Sequence, residues 1–147
     1  MEKIFTKDEL VELGKLLDKR YGSKLGDERF FLSADENDSY LFIKLTLENP
    51  AETFSYPMEF AVDFGQEGVA SAAEAKDLLV DFIGLYLDKY FRSGRELILP
   101  LDFTGYEFEG RTVYARGDVR NPKLDRMADE IIAGGVAVDP DDPKFKL

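Results

Sequence analysis

Apolar and polar residues alternate without a miss from Phe54 to Phe64: Phe54, Tyr56, Met58, Phe60, Val62 and Phe64 stand against Ser55, Pro57, Glu59, Ala61 and Asp63. A period of two predicts a strand with one buried face. Leu41, Ile43, Leu45 and Leu47 alternate in the same way with Tyr40, Phe42, Lys44 and Thr46, so residues 40–47 form a strand with one wholly aliphatic face. Phe30–Ala34 is a further strand, joined to it by the turn-rich run Asp35–Ser39. Pro57 has no amide hydrogen to give to a ladder, which predicts an edge position or a bulge for its strand.

Elsewhere the period lengthens to that of a helix. From Ser71 to Gly94, Ala75, Leu79, Phe82, Ile83, Tyr86, Leu87 and Tyr90 recur at three- and four-residue spacing, and Leu78, Val80, Leu85 and Phe91 widen that face. Asp77, Asp81, Gly84, Asp88 and Arg92 mark the opposite stripe. Ser71 and Glu74 fit a capping box, and Gly94 supplies a stop. A helix apolar over so much of its circumference requires cover on more than one side, by a sheet and by other helices or a second subunit. A first helix is predicted from Thr6, with Glu9 completing a second capping box, to Tyr21 and Gly22. A third runs from Asn121 and Pro122 through Leu124, Met127, Ala128 and Ile131 to Gly134 and Gly135. Glu96–Phe103, dense in Leu and Ile, predicts another strand that is bent or at an edge because of Pro100. Thr104–Phe108 and Arg111–Arg116 predict a hairpin turning at Glu109 and Gly110.

The predicted order is α-βββ-α-βββ-α: an α+β fold with an antiparallel sheet of about five to six strands, a long central helix and two shorter ones. Residues 1–135 form a single domain. Residues 136–147, with Asp139, Pro140, Asp141, Asp142 and Pro143, are expected to be an extended or disordered acidic tail.

The chain of 147 residues has no cysteine and no histidine, and its formal charge is −11. Residues 30–94 carry 4 basic and 12 acidic side chains, a balance of −8. Such acidity disfavours nucleic acid and anionic membranes and attracts a basic partner. Lys and Glu throughout the first twenty residues leave no apolar run for a signal peptide, and no later run suffices for a membrane span, so a cytoplasmic location is expected. Without Cys or His, thiolate metal sites and Ser-His-Asp or Cys-His nucleophiles are excluded. No glycine cluster opens a helix to cradle phosphate. Asp35, Asn37 and Ser39 imitate the start of a calcium loop, but Tyr40 stands where that loop needs Gly and Thr46 where it needs Glu, so a hairpin turn is expected. No cofactor and no metal is expected.

Carboxylates are the remaining chemical groups. Asp63, Asp102, Glu107, Glu109 and Asp118 lie on or beside strands, and two of them in one cleft could act as acid and base or hold a divalent cation. Arg111, Arg116, Arg120 and Arg126 have acidic neighbours to pair with. The preferred expectation is a small acidic adaptor, a possible homodimer, that engages another polypeptide bearing a basic segment. Its surface is assigned to Asp77, Asp81 and Asp88 with Tyr86, Tyr90, Phe91, Tyr106 and Tyr114, since aromatics favour interface centres. The alternatives are a carboxylate-based or cation-dependent enzyme and an immunity or inhibitor protein for a basic nuclease. In length, acidity and element order, over residues 5–134, the chain resembles the small acidic homodimeric chaperones of type III secretion systems. The likeness lies in layout and not in a motif, and the middle helix is longer than that family usually shows.

Overall fold

The structure, a computed structural model, describes residues 4–133. Its elements are α1 (Lys7–Tyr21), β1 (Arg29–Glu36), β2 (Tyr40–Glu48), β3 (Ser55–Asp63), α2 (Ala72–Arg92), β4 (Thr104–Phe108), β5 (Arg111–Gly117) and α3 (Pro122–Ala133). One antiparallel sheet runs in the order β1-β2-β3-β5-β4, which makes the fold α+β with five strands. The expected acidic tail and the Gly134–Gly135 stop lie outside the described residues.

The helix ends form where the capping residues stand. Thr6 Oγ1 accepts from the Glu9 amide at 3.2 Å while the Glu9 carboxylate accepts from the Thr6 amide at 3.1 Å, a complete capping box. Ser71 caps α2 by accepting from the Glu74 amide, but Glu74 reaches back to the amide of Ala70 and not to the cap itself. Asn121 Oδ1 accepts from the Leu124 amide, with Pro122 opening α3. The β4–β5 hairpin turns on Glu109 and Gly110, both with positive φ (51° and 78°), which matches the twist of the flanking strands.

The alternation becomes a layer. Leu41, Ile43, Leu45 and Leu47 of β2 and Tyr56, Met58, Phe60 and Val62 of β3 all face inward and are fully buried. On that face α2 lays Leu79, Phe82, Ile83, Tyr86, Leu87 and Tyr90 over the sheet, and α1 adds Leu13, Leu17 and Tyr21. α1 and α2 are tied by Lys76 Nζ to Glu9 at 2.5 Å and by Asp88, which accepts from Tyr21 Oη and Arg20 at 2.6 Å each. The lysine holds the Glu9 carboxyl below its usual range. Sheet and α1 thus cover most of the broad apolar circumference of α2. Leu85 is left exposed. In α3, Leu124, Met127 and Ala128 are exposed, and the side chain of Ile131 lies outside the described residues.

Two expectations are corrected. β3 lies in the middle of the sheet, not at its edge. Pro57 is accommodated because its N and C=O both point to the β5 side, where the ladder stops: the pairing runs from Met58 to Val62, and beyond it Pro57 only accepts, from the Asp118 amide at 3.1 Å. Ser55 and Arg120 then resume pairing as an isolated bridge. Glu96–Phe103 is not a strand; it is an irregular strap across the end of the sheet. Its polar backbone is met by side chains and one cross-strand amide, with Leu99 N–H donating to Tyr56 Oη at 2.7 Å and Gly117 N–H donating to the Pro100 carbonyl at 2.8 Å.

Gly117 is required where the strap meets β5. A Cβ there would lie 2.6 Å from Cε1 and 3.1 Å from Oη of Tyr56. A second organising contact escaped the sequence reading: Arg95, at positive φ (68°), donates two hydrogen bonds to the nearly buried Glu28 carboxylate at 2.5 and 2.6 Å. The Arg95 guanidinium holds Glu28 below the usual carboxylate range.

Candidate protein-interaction groove

Positions 82, 85, 86 and 89 lie on one side of α2, so Phe82, Leu85, Tyr86 and Lys89 form a wall. Leu97, Ile98 and Leu99 of the strap form the facing wall, and Tyr106 and Glu107 of β4 close one end. The groove between them measures about 210 Å³. Phe82 is held by other rings, tilted against Tyr106 at 5.8 Å and edge-to-face with Phe108 at 5.6 Å between centroids. Further along the strap Leu101 is exposed at 69%.

A hydrogen-bonded relay holds the strap in place. Leu99 N–H can only donate to Tyr56 Oη, and the Leu97 carbonyl can only accept from Tyr86 Oη, at 2.6 Å. The intervening Tyr56–Tyr86 bond, 2.7 Å long, therefore runs from Tyr56 to Tyr86. Burial pushes the Tyr56 and Tyr86 phenols above their ordinary value, and it raises Tyr90 to about 12.

The eight residues assigned from sequence do not converge on one surface. Tyr86 and Tyr106 line the groove, and Asp81 is exposed one turn before Leu85. Asp77 is exposed further along the same helix. Tyr90 is core. Asp88 is engaged by Arg20 and Tyr21, and Phe91 stacks on Tyr21 at 5.2 Å with the Arg95 guanidinium 5.5 Å from its ring. Tyr114 is on the opposite face of the sheet, where it lines a hollow with Tyr40 and Phe42. Leu85, Leu97 and Ile98 of the groove are outside the residues expected from sequence: the signal for Leu85 is the widened apolar face of α2, and that for Leu97 and Ile98 is the Leu/Ile density around Pro100, which also reads as a strand.

The strand carboxylates are dispersed. Glu107 reaches the groove, but Asp63 accepts from the Gly65 amide in its own turn, and Asp118 sits six residues beyond the Thr112 partner of Glu107, roughly 20 Å along the strand. Asp102 is exposed in the strap. Asn37 Oδ1 accepts from the amides of Ser39 and Tyr40, so the expected hairpin turn is present over Asn37–Ser39, while Asp35 and Glu36 belong to β1. Among the described residues no group of three or more His, Cys, Asp or Glu side chains could hold a metal ion. The arginines are paired: Arg111 with Glu109 and Arg116 with Glu59 at 3.1 Å, Arg120 with Asp125 at 3.1 Å, and Arg126 with Glu52. Among the described residues no helix is long and apolar enough to cross a membrane. No known protein family, no curated protein and no solved structure matches the chain.

Proposed function

We propose that the protein is an adaptor that binds another polypeptide, seating one or two large apolar side chains of that partner in the groove between α2 and the strap. The observation that carries this reading is the groove itself, at about 210 Å³ and lined mostly by apolar side chains. Pockets for small molecules and cofactors span about 300–1,000 Å³, whereas interface anchors fill smaller, locally desolvated pockets. Charge supports a basic partner. Asp81 is one turn before Leu85, Glu96 precedes Leu97 and Glu107 is in the lining, together with Lys89. The element order α-βββ-α-ββ-α, with five strands within the expected five to six, is compatible with the layout-level likeness to secretion chaperones. A cytoplasmic site of action belongs to the same reading, since the chain carries no cysteine to be oxidised.

The test uses short peptides with a central Leu or Phe flanked by Lys and Arg, compared with the same anchors flanked by Glu. Backbone resonances of the full chain would be followed during titration. Basic-flanked peptides are expected to shift Leu85, Ile98 and Tyr106, and to weaken as salt rises from about 50 to 500 mM, because the Debye length falls from roughly 14 to 4 Å. Leu85→Lys and Ile98→Asp, both at exposed positions, should remove the binding without unfolding. Charge reversal at Asp77 and Asp81 should slow association; Asp88 is unsuitable because its reversal would break the contact with α1. Indifference to flank charge would overturn the reading. So would light scattering that shows a dimer converted to monomer by Leu85→Lys, since a second copy would then be the occupant.

A further inference from the structure

Helices α1 and α2 pack on one face of the sheet, and among the described residues no helix packs on the other. Across that outer face the register aligns a single row through all five strands: Asp35, Phe42, Ala61, Tyr114 and Gly105. A small residue stands between two rings. Phe42 and Tyr114 are two strands apart, about 10 Å between backbones, and the Tyr40 ring packs against both, 5.8 Å from Phe42 and 6.4 Å from Tyr114 between centroids, over a buried Ala61. Tyr40 and Phe103 complete the enclosure around Ala61, giving a hollow of about 430 Å³.

The surroundings decide what such a hollow takes. Aromatic faces carry negative potential and attract guanidinium groups. The fold already uses this pairing once at the rim, where the Arg116 guanidinium lies 4.3 Å from the Phe103 ring centroid. Asp35 ends the row, and Asp63 is the register partner of Tyr40. The cations on this face include Lys44, opposite Glu59, Arg29, opposite Glu48, and Arg116, which pairs with Glu59 at 3.1 Å. Net charge over the whole chain is −11.

We propose that this hollow receives an arginine side chain of a polypeptide partner, its guanidinium laid against the ring cluster of Tyr40, Phe42 and Tyr114, with Asp35 and Asp63 at the neighbouring outward positions. Because the hollow is on the opposite face from the α2 groove, it stands independently of that reading. A partner reaching both would wrap around the β4 edge.

The experiment titrates the full chain with acetylated tetra-arginine amide and, separately, with its neutral planar counterpart built from citrulline. Saturable shifts are expected at Phe42, Ala61 and Tyr114 for the arginine peptide, with about five- to tenfold weaker binding for the citrulline peptide. Phe42→Leu and Tyr114→Leu keep apolar bulk but lose the ring face, and each should weaken the arginine peptide by about fivefold while inner-face resonances of β3 stay in place. Leu85→Lys, in the other groove, should leave this binding unchanged. Equal binding of the two peptides would overturn the proposal, as would shifts confined to the α2 groove, no saturable shift, or unaltered affinity in both leucine variants.

Discussion

Substituting Tyr86→Phe removes a single oxygen from the molecule and cuts the relay at its centre. Two bonds disappear, the 2.6 Å bond to the Leu97 carbonyl and the 2.7 Å bond from Tyr56. Leaving a buried polar group unpaired costs about 1–3 kcal/mol, and here the Tyr56 hydroxyl loses its acceptor in a site with no exposure. Leu97 is 46% exposed, so water can reach its carbonyl and the second loss falls at the low end. The total expected is about 2–3 kcal/mol. For a domain of this size that lowers Tm by roughly 5–10 °C. Urea unfolding of the wild type, Tyr56→Phe, Tyr86→Phe and the double variant forms a cycle. The two changes should couple by about 1 kcal/mol, since either alone breaks the same bond. Exchange of the Leu99 amide should accelerate in both single variants, and Tyr114→Phe should change stability by less than about 0.5 kcal/mol. Strict additivity, or a loss in Tyr86→Phe no larger than in Tyr114→Phe, would refute the relay.

Three further outcomes follow from the packing. Glu28→Gln should cost about 2–3 kcal/mol, below the range for fully buried pairs because Arg95 keeps 31% of its side chain exposed; denaturant midpoints check this. Since Arg95 depresses the folded-state pKa of Glu28, its contribution is present above the unfolded value near 4.3 and is lost as pH falls through the folded one, so the wild type should lose its advantage over Glu28→Gln on acidification. At the alkaline end the sign reverses. Tyr21, Tyr56, Tyr86 and Tyr90 are all raised, so their contribution is intact below about pH 10 and is lost as pH climbs toward the folded values, with Tyr90 at about 12; ultraviolet titration should show phenols that ionise only on unfolding. Gly117→Ala should destabilise by about 1–3 kcal/mol through collision with the Tyr56 ring, and the double variant with Tyr56→Leu should lose less in thermal unfolding than the sum of the two single losses, since the colliding ring is gone.

Much of the fold was legible because local signals and burial agree. The alternation in β2 and β3 is the inner face itself, and Thr6, Ser71 and Asn121 cap the helices that follow them. Legibility fails where a distant group meets a backbone need. Pro57 is tolerated in a central strand because the neighbouring ladder ends beside it, a property of β5 and not of β3. Glu96–Phe103 has the composition of a strand, yet the Leu99 amide and the Leu97 and Pro100 carbonyls are met by Tyr56, Tyr86 and Gly117 from other elements, while Ser93 takes the Glu96 and Leu97 amides. The aromatic site was only partly legible for the same reason. A tyrosine on a helix looks alike whether its hydroxyl meets a partner or, as in Tyr86, holds a strap from within.

The interrupted seam at Pro57 separates two blocks of the sheet. On one side is the β1–β2–β3 meander with continuous eight- and nine-pair ladders; on the other is the β4–β5 hairpin, joined by five pairs and one isolated bridge. The weaker seam is where native-state fluctuations should part the sheet, so amides of β5 facing β3 should exchange through a sub-global opening at lower free energy than those of β2. The groove wall formed by Tyr106 and Glu107, and the Tyr114 ring of the outer hollow, both ride on that hairpin. A partner gripping either one would act as a rivet across the seam, and its presence would be read in slowed exchange of β5 even at amides it does not touch.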